Sequence, residues 1–277
     1  MATMTRSKGL ILTGIAALLY IFLGIAFADG LFNVNNFWSS EFIFEGTWFS
    51  YALLAAIIVL GVVNANRMPE DGIDVSAGRT TGEGQIDDPA WWKLILGNAY
   101  LAVLWLPIRF FVGQEWLIAG EHKVRADAWM DGGTALQGYW TGATAVNPET
   151  GASRITYGWF NDFITYMLDN EWYTWFAKLV AVGEVLVGLG LIFGALVGIA
   201  AFFGTVLNFN FMLAGTVSSN PVLFALTVFL VLGWKVAGFL GLDRYLLPLL
   251  GTPWQMGKIA GEHRNAPLVG GHPHPQS

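Results

Sequence analysis

The stretch Leu106–Lys123, LPIRFFVGQEWLIAGEHK, decides the fold, because it belongs to a run apolar enough to cross a membrane and yet carries Arg109 and Glu115. A guanidinium in hydrocarbon is costly on any scale. If the run spans a bilayer, its charged groups must find partners or do work inside a bundle. Composition answers the first half of that question. The chain has 277 residues, of which 55% are hydrophobic and only 12% charged, with a mean hydropathy of +0.52. Soluble domains carry about a quarter charged residues. Thirteen tryptophans and twenty phenylalanines add the aromatic excess typical of interfacial anchors. The chain reads as an integral membrane protein whose first partner is the lipid bilayer.

The same counts narrow the chemistry. A net charge of −6 and a pI near 5.1 argue against a nucleic-acid partner, since neutralising phosphates takes a basic face. There is no cysteine, so a thiol shuttle, covalent haem attachment and a thiolate-bound iron–sulfur cluster have no ligands here. The four histidines are His122, His263, His272 and His274, and none lies within an apolar run. A membrane haem needs its axial histidines inside the helices, so no haem is expected to be held by this chain alone.

Six segments approach the roughly 20 helical residues that a hydrocarbon core demands: Leu10–Ala28, Thr47–Val63, Leu94–Gly120, Trp175–Phe193, Val197–Ala214 and Val222–Leu240. The expected architecture is all-α and polytopic. An N-terminal helix pair occupies 1–66, a cytoplasmic linker 67–93, a four-helix core 94–248 with an aromatic-rich outer cap at 121–174, and a cytoplasmic tail 249–277. The first segment follows Arg6 and Lys8 and ends in Ala26-Phe27-Ala28, a pattern shared with cleavable signals; it is read as a retained span. Lys and Arg then group on one side, at 6, 8, 67, 79, 93, 244, 258 and 264, which puts both termini in the cytoplasm of what is expected to be a prokaryotic cell. The cap is expected to be ordered, with WFNDFITYMLDNEW forming an interfacial helix. The tail's His272-Pro273-His274 in a Pro/Gly-rich setting is not read as a metal site.

Depth counting organises the polar residues. Arg109 lies eleven residues from Gly120 and Glu184 nine from Trp175, or about 16 and 14 Å below the same surface at 1.5 Å per residue. Opposite charges at matching depth on consecutive helices are expected to pair, because either alone is strongly disfavoured. Glu115, Asn208 and Asn210 lie nearer the outer surface, and Pro107 cannot donate to the Val103 carbonyl, so a kink is expected beside Arg109. The set is either a binding site opening outward or a lock between helices. Trp105 and Trp116, with Trp140 and Trp159, either line a flat ligand such as a quinone or anchor at the interface.

These residues resemble a known family. Arg109, Gly113, Trp116-Leu117, Gly120 and Lys123 are similar to the first-helix signature of DoxX-type membrane proteins, and GEVLVGLGLIFG (183–194) resembles that family's second helix, with Glu184 in the matching place. LNFNFMLAGTVSSNPVLF (207–224) and GWKVAGFLGLDRYLLP (233–248) resemble its third and fourth. The resemblance covers roughly 94–248. It implies a DoxD-like membrane subunit of a quinone-linked oxidoreductase acting on thiosulfate or a related sulfur anion, with a protein partner subunit. Arg109 would bind the anion or orient the quinone, Glu184 or Glu115 would relay protons, and Asn208, Asn210, Trp105 and Trp116 would contact the quinone. The alternative is a non-catalytic accessory subunit of a larger respiratory or photosynthetic complex.

Overall fold

The computed structural model describes residues 3–28, 31–38, 41–68, 72–74 and 88–251. The tail histidines and most of the 67–93 linker lie outside them. Apart from a two-residue antiparallel pairing of Thr3–Met4 with Ile73–Asp74, the regular structure is helical: α1 (Arg6–Phe27), α2 (Thr47–Asn66), α3 (Ala90–Gly97), a 3-10 helix (Ala99–Trp105), α4 (Leu106–Arg125), α5 (Asp127–Met130), α6 (Thr134–Thr144), α7 (Gly158–Asp169), α8 (Tyr173–Phe193), α9 (Val197–Leu213), α10 (Asn220–Leu232), α11 (Trp234–Ala237) and α12 (Asp243–Leu250).

Among the described residues, four stretches are long and apolar enough to cross a membrane: α1, α2, the composite Ala99–Arg125, and α8. Two more of the six expected spans are shorter. Helices α9 and α10 have 17 and 13 residues, about 26 and 20 Å long. The segment Val222–Leu240, expected as one span, breaks at Gly233, where a Cβ would run into the Trp105 indole.

The composite stretch is the hub. Its most apolar window is 78% buried, against 28%, 33% and 39% in α1, α2 and α8, so the other helices surround it. The expected kink takes the form of a change of helix type. Asn98 accepts from the Tyr100 N–H to start the 3-10 helix. Pro107 then lies in the first turn of α4, where a missing N–H is no loss. Glycines set the close approach of α4 to α8: a Cβ on Gly120 would meet the backbone at Glu184–Val185, one on Gly188 would meet Leu117, and one on Gly113 would meet Leu191 and Ile192. That antiparallel register places Glu184 level with Gly120 and leaves Arg109 level with the turn between α8 and α9.

The N-terminal pair is bound to this hub by polar contacts. The Tyr20 hydroxyl of α1 donates to Gln114 Oε1 of α4 (2.7 Å), and Gln114 Nε2 donates to Ser50 Oγ of α2 (2.8 Å). The 41–46 segment docks on the end of α4, where Glu121 accepts from the Ile43 and Phe44 N–H groups and His122 meets Glu45.

The connection 121–174 carries the end of α4 and helices α5, α6 and α7. Helices α6 and α7 close on a core of Leu136, Trp140, Phe160, Ile164 and Met167, which also takes in Ala177 of α8 and Ala214 after α9. The tryptophan-rich segment expected to be helical is α7.

Candidate functional site

Arg109 does not pair with Glu184. It is 1% exposed, and its Nη1 and Nη2 donate to the carbonyls of Ala237 (2.7 Å) and Leu240 (3.2 Å), at and beyond the end of α11. Gly194, left-handed at φ 65°, leaves room for it: a Cβ there would lie 2.6 Å from Nη1. Asp243 completes this node by accepting from the N–H groups of Leu196 and Val197 at the start of α9 (2.5 and 2.9 Å). The physical reason for the correction is helix length. Depth was counted from Gly120, but α4 continues to Arg125, which puts Arg109 about 24 Å below the end of its helix. The guanidinium clamps the turned ends of α8, α9 and α11.

Glu184 has another cation. Lys123 Nζ lies 2.6 Å from Glu184 Oε2, with the carboxylate side chain 1% exposed and the lysine 18%. Lys123 also sits 5.2 Å from the Trp129 ring centre and 5.9 Å from that of Phe211, within cation–π range. This pair lines a cavity of about 380 Å³ bounded by α4, α8, α10 and the ends of α5, α6 and α9, with Glu115, Trp116, Tyr139 and Thr216 in its wall. That volume falls in the roughly 300–1,000 Å³ range of small-molecule sites.

Several buried polar atoms have no partner among the described residues: Trp116 Nε1, Glu184 Oε1 and both amide atoms of Asn208. A Cβ on Gly204 would lie 3.2 Å from Trp116 Nε1 and the same distance from Val187. Asn208 is one turn further along α9 on the same face, and Phe211 of α9 lines the cavity. A buried polar group without a hydrogen bond costs about 1–3 kcal/mol. The fifth such atom among the described residues, Arg109 Nε, belongs to the other node.

A second, more polar cavity of about 620 Å³ adjoins the first, between the end of α1, Glu45 and the start of α10. The two share Glu115, Ile118, Ser218 and Ser219. Ser218 has φ 35°, a conformation that non-glycine residues avoid and that concentrates at functional sites. Tyr139 closes the other side, its hydroxyl 2.6 Å from Thr216 Oγ1. Burial pushes this phenol above its usual 10, against the opposing effects of the Thr216 hydrogen bond and the Arg154 charge, so it stays a neutral hydrogen-bonding group.

Of the residues singled out from sequence, Glu115, Glu184 and Trp116 line one cavity, and Asn208 is buried on α9. Two quinone-contact candidates lie elsewhere. Trp105 donates through Nε1 to the Ile95 carbonyl (3.2 Å) and packs on Gly233, which makes it a brace at the far end of the hub. Asn210 bonds to the Val206 carbonyl of its own helix (2.7 Å) and borders a separate apolar cavity. Helical geometry carries the signal that separates it from Asn208, for residues two apart point about 200° from one another. Lys123 was missed as a site residue because it follows the last apolar turn, although Glu121–Arg125 contains nothing that ends a helix. Among the described residues no three His, Asp or Glu side chains form a metal-binding group. The chain matches no family model, no curated protein and no solved structure.

Proposed function

We propose that the chain is a DoxX-like membrane protein of six spans, with α9 and α10 as short fifth and sixth crossings and α5–α7 as a cap on the outer face. In this reading both termini are cytoplasmic, and the protein is the quinone-binding membrane subunit of an oxidoreductase that draws electrons from thiosulfate or a related sulfur anion. One observation carries it: Trp116 and Glu184, each with a buried polar atom that has no partner among the described residues, line a ligand-sized cavity together with Lys123, and Asn208 on α9 is unpaired as well.

This donor set fits a quinone headgroup, which supplies electron and proton acceptance at its carbonyl oxygens. Lys123 Nζ, Trp116 Nε1–H and the Asn208 amide are donors for such oxygens. Glu184 keeps one oxygen, Oε1, that Lys123 does not engage, and that oxygen can take up and release a proton. Glu115, in the wall shared with the polar cavity, is a second proton carrier on the way to solvent. Arg109 has no part in this chemistry, since its guanidinium is engaged elsewhere. With no cysteine in the chain, a partner subunit is the natural holder of any further redox group.

Protein purified with native lipids is expected to yield extractable quinone and to reduce a soluble quinone in the presence of thiosulfate. Glu184→Gln keeps the shape of the side chain and should lower turnover by roughly 10²-fold, the lower end of what a lost general acid–base group costs. Turnover retained in folded Glu184→Gln protein would remove the residue from the chemistry. Quinone-free protein that co-purifies stoichiometrically with a large complex would establish the accessory role instead.

A further inference from the structure

The separate apolar cavity, about 210 Å³, lies between α6–α7 and the outer halves of α8 and α9. Leu136, Trp140, Phe160, Ile164 and Met167 line it, and its polar side chains are satisfied: Asn210 by its own helix and Tyr139 by Thr216. Two features make it more than a packing defect. First, it shares Tyr139 and Phe211, an edge-to-face aromatic pair with centroids 6.4 Å apart, with the cavity that holds Lys123 and Glu184. Second, its rim includes Phe163 and Val206, 45% and 39% exposed, continuous with the exposed apolar surface of Leu179 and Phe209. The cavity therefore borders the Lys123–Glu184 cavity on one side and has exposed apolar side chains on the other.

We infer that this apolar chamber takes the aliphatic tail of the quinone whose headgroup occupies the Lys123–Glu184 cavity, with Tyr139 and Phe211 as the gate between tail and headgroup. The inference rests on the quinone reading and extends it to a lipid-borne, long-tailed substrate that arrives from the bilayer. Lipid chains are as apolar as the chamber, so the tail gains little affinity by moving into it. What it gains is position, which fixes the ring against Lys123, Glu184 and Trp116.

The test uses full-length protein in phosphatidylcholine proteoliposomes and a decyl-tailed benzoquinone with a diazirine at the end of its tail. Photolabelling is expected on residues 134–169, and excess unlabelled decyl-benzoquinone should suppress it. Val206→Trp, which fills the rim while keeping one face in lipid, should lower labelling there by roughly tenfold, whereas binding of tail-less benzoquinone stays unchanged. Label confined to other helices, or label on 134–169 that Val206→Trp leaves intact in folded protein, overturns the tail chamber. Headgroup binding that persists in that case keeps the quinone reading standing. Label on 134–169 that survives both Lys123→Met and Glu184→Gln would keep the chamber as a general acyl site and overturn the quinone headgroup.

Discussion

Arg109→Met is expected to prevent folded protein from accumulating. The substitution leaves the Ala237 and Leu240 carbonyls without their donors and removes the cation that faces the Asp243 carboxylate at the head of α9. Breaking one side of a buried charged node costs about 3–5 kcal/mol, a large share of the 5–15 kcal/mol that typically separates a folded domain from its unfolded state. Methionine fills much of the vacated volume, so the loss is electrostatic and not a cavity effect. The measurement is the yield of monodisperse protein in mild detergent. Arg109→Lys should fall between the two, because a single ammonium cannot hold both carbonyls at once. A stable Arg109→Met protein that has only lost quinone binding would return Arg109 to the ligand site.

Lys123→Met is the second large effect, and it differs in being reversible by a neighbour. Without its ammonium, Glu184 is left as a buried carboxylate with no compensating charge, and a loss of about 3–5 kcal/mol is again expected. Adding Glu184→Gln removes the uncompensated charge. The double variant should regain most of the melting temperature, since two uncharged side chains of similar volume replace a buried pair at little net cost. It should not regain quinone binding. A thermal melt of the wild type, the two single variants and the double variant separates these outcomes. If the double variant is as unstable as Lys123→Met alone, the pair is not coupled as the geometry indicates.

How much of this was legible in the sequence depended on where each residue sits relative to a helix end. The long apolar helices followed from run length. That Glu184, Glu115 and Trp116 share a cavity was within reach of depth counting, because all three are measured from the same side. Arg109 was misplaced because the count set Gly120 level with the start of α8, while α4 runs on to Arg125 and packs with Gly120 level with Glu184; Arg109 therefore lies eleven residues, about 16 Å, from the level of its expected partner. The actual partners of Arg109 are backbone carbonyls around α11, and no pattern of residue types announces a carbonyl. Gln114 was visible as the one amide in the run that opened the sequence, but its bonds to Tyr20 and Ser50 depend on how α1 and α2 dock, which hydropathy does not encode. The same holds for the break at Gly233, where the indole of Trp105, over a hundred residues earlier, fills the space.

The central claim is that the unpaired atoms of Trp116, Glu184 and Asn208 are kept for a ligand and not for the fold. Asn208→Leu tests it most directly, because leucine matches the amide in size and needs no hydrogen bonds. If Asn208 serves a ligand, removing a buried amide without partners should leave the melting temperature unchanged or raise it, by the equivalent of about 1–2 kcal/mol, while quinone binding weakens by roughly tenfold, the worth of one hydrogen bond. A lower melting temperature with quinone binding intact would contradict the account and make Asn208 part of a lock.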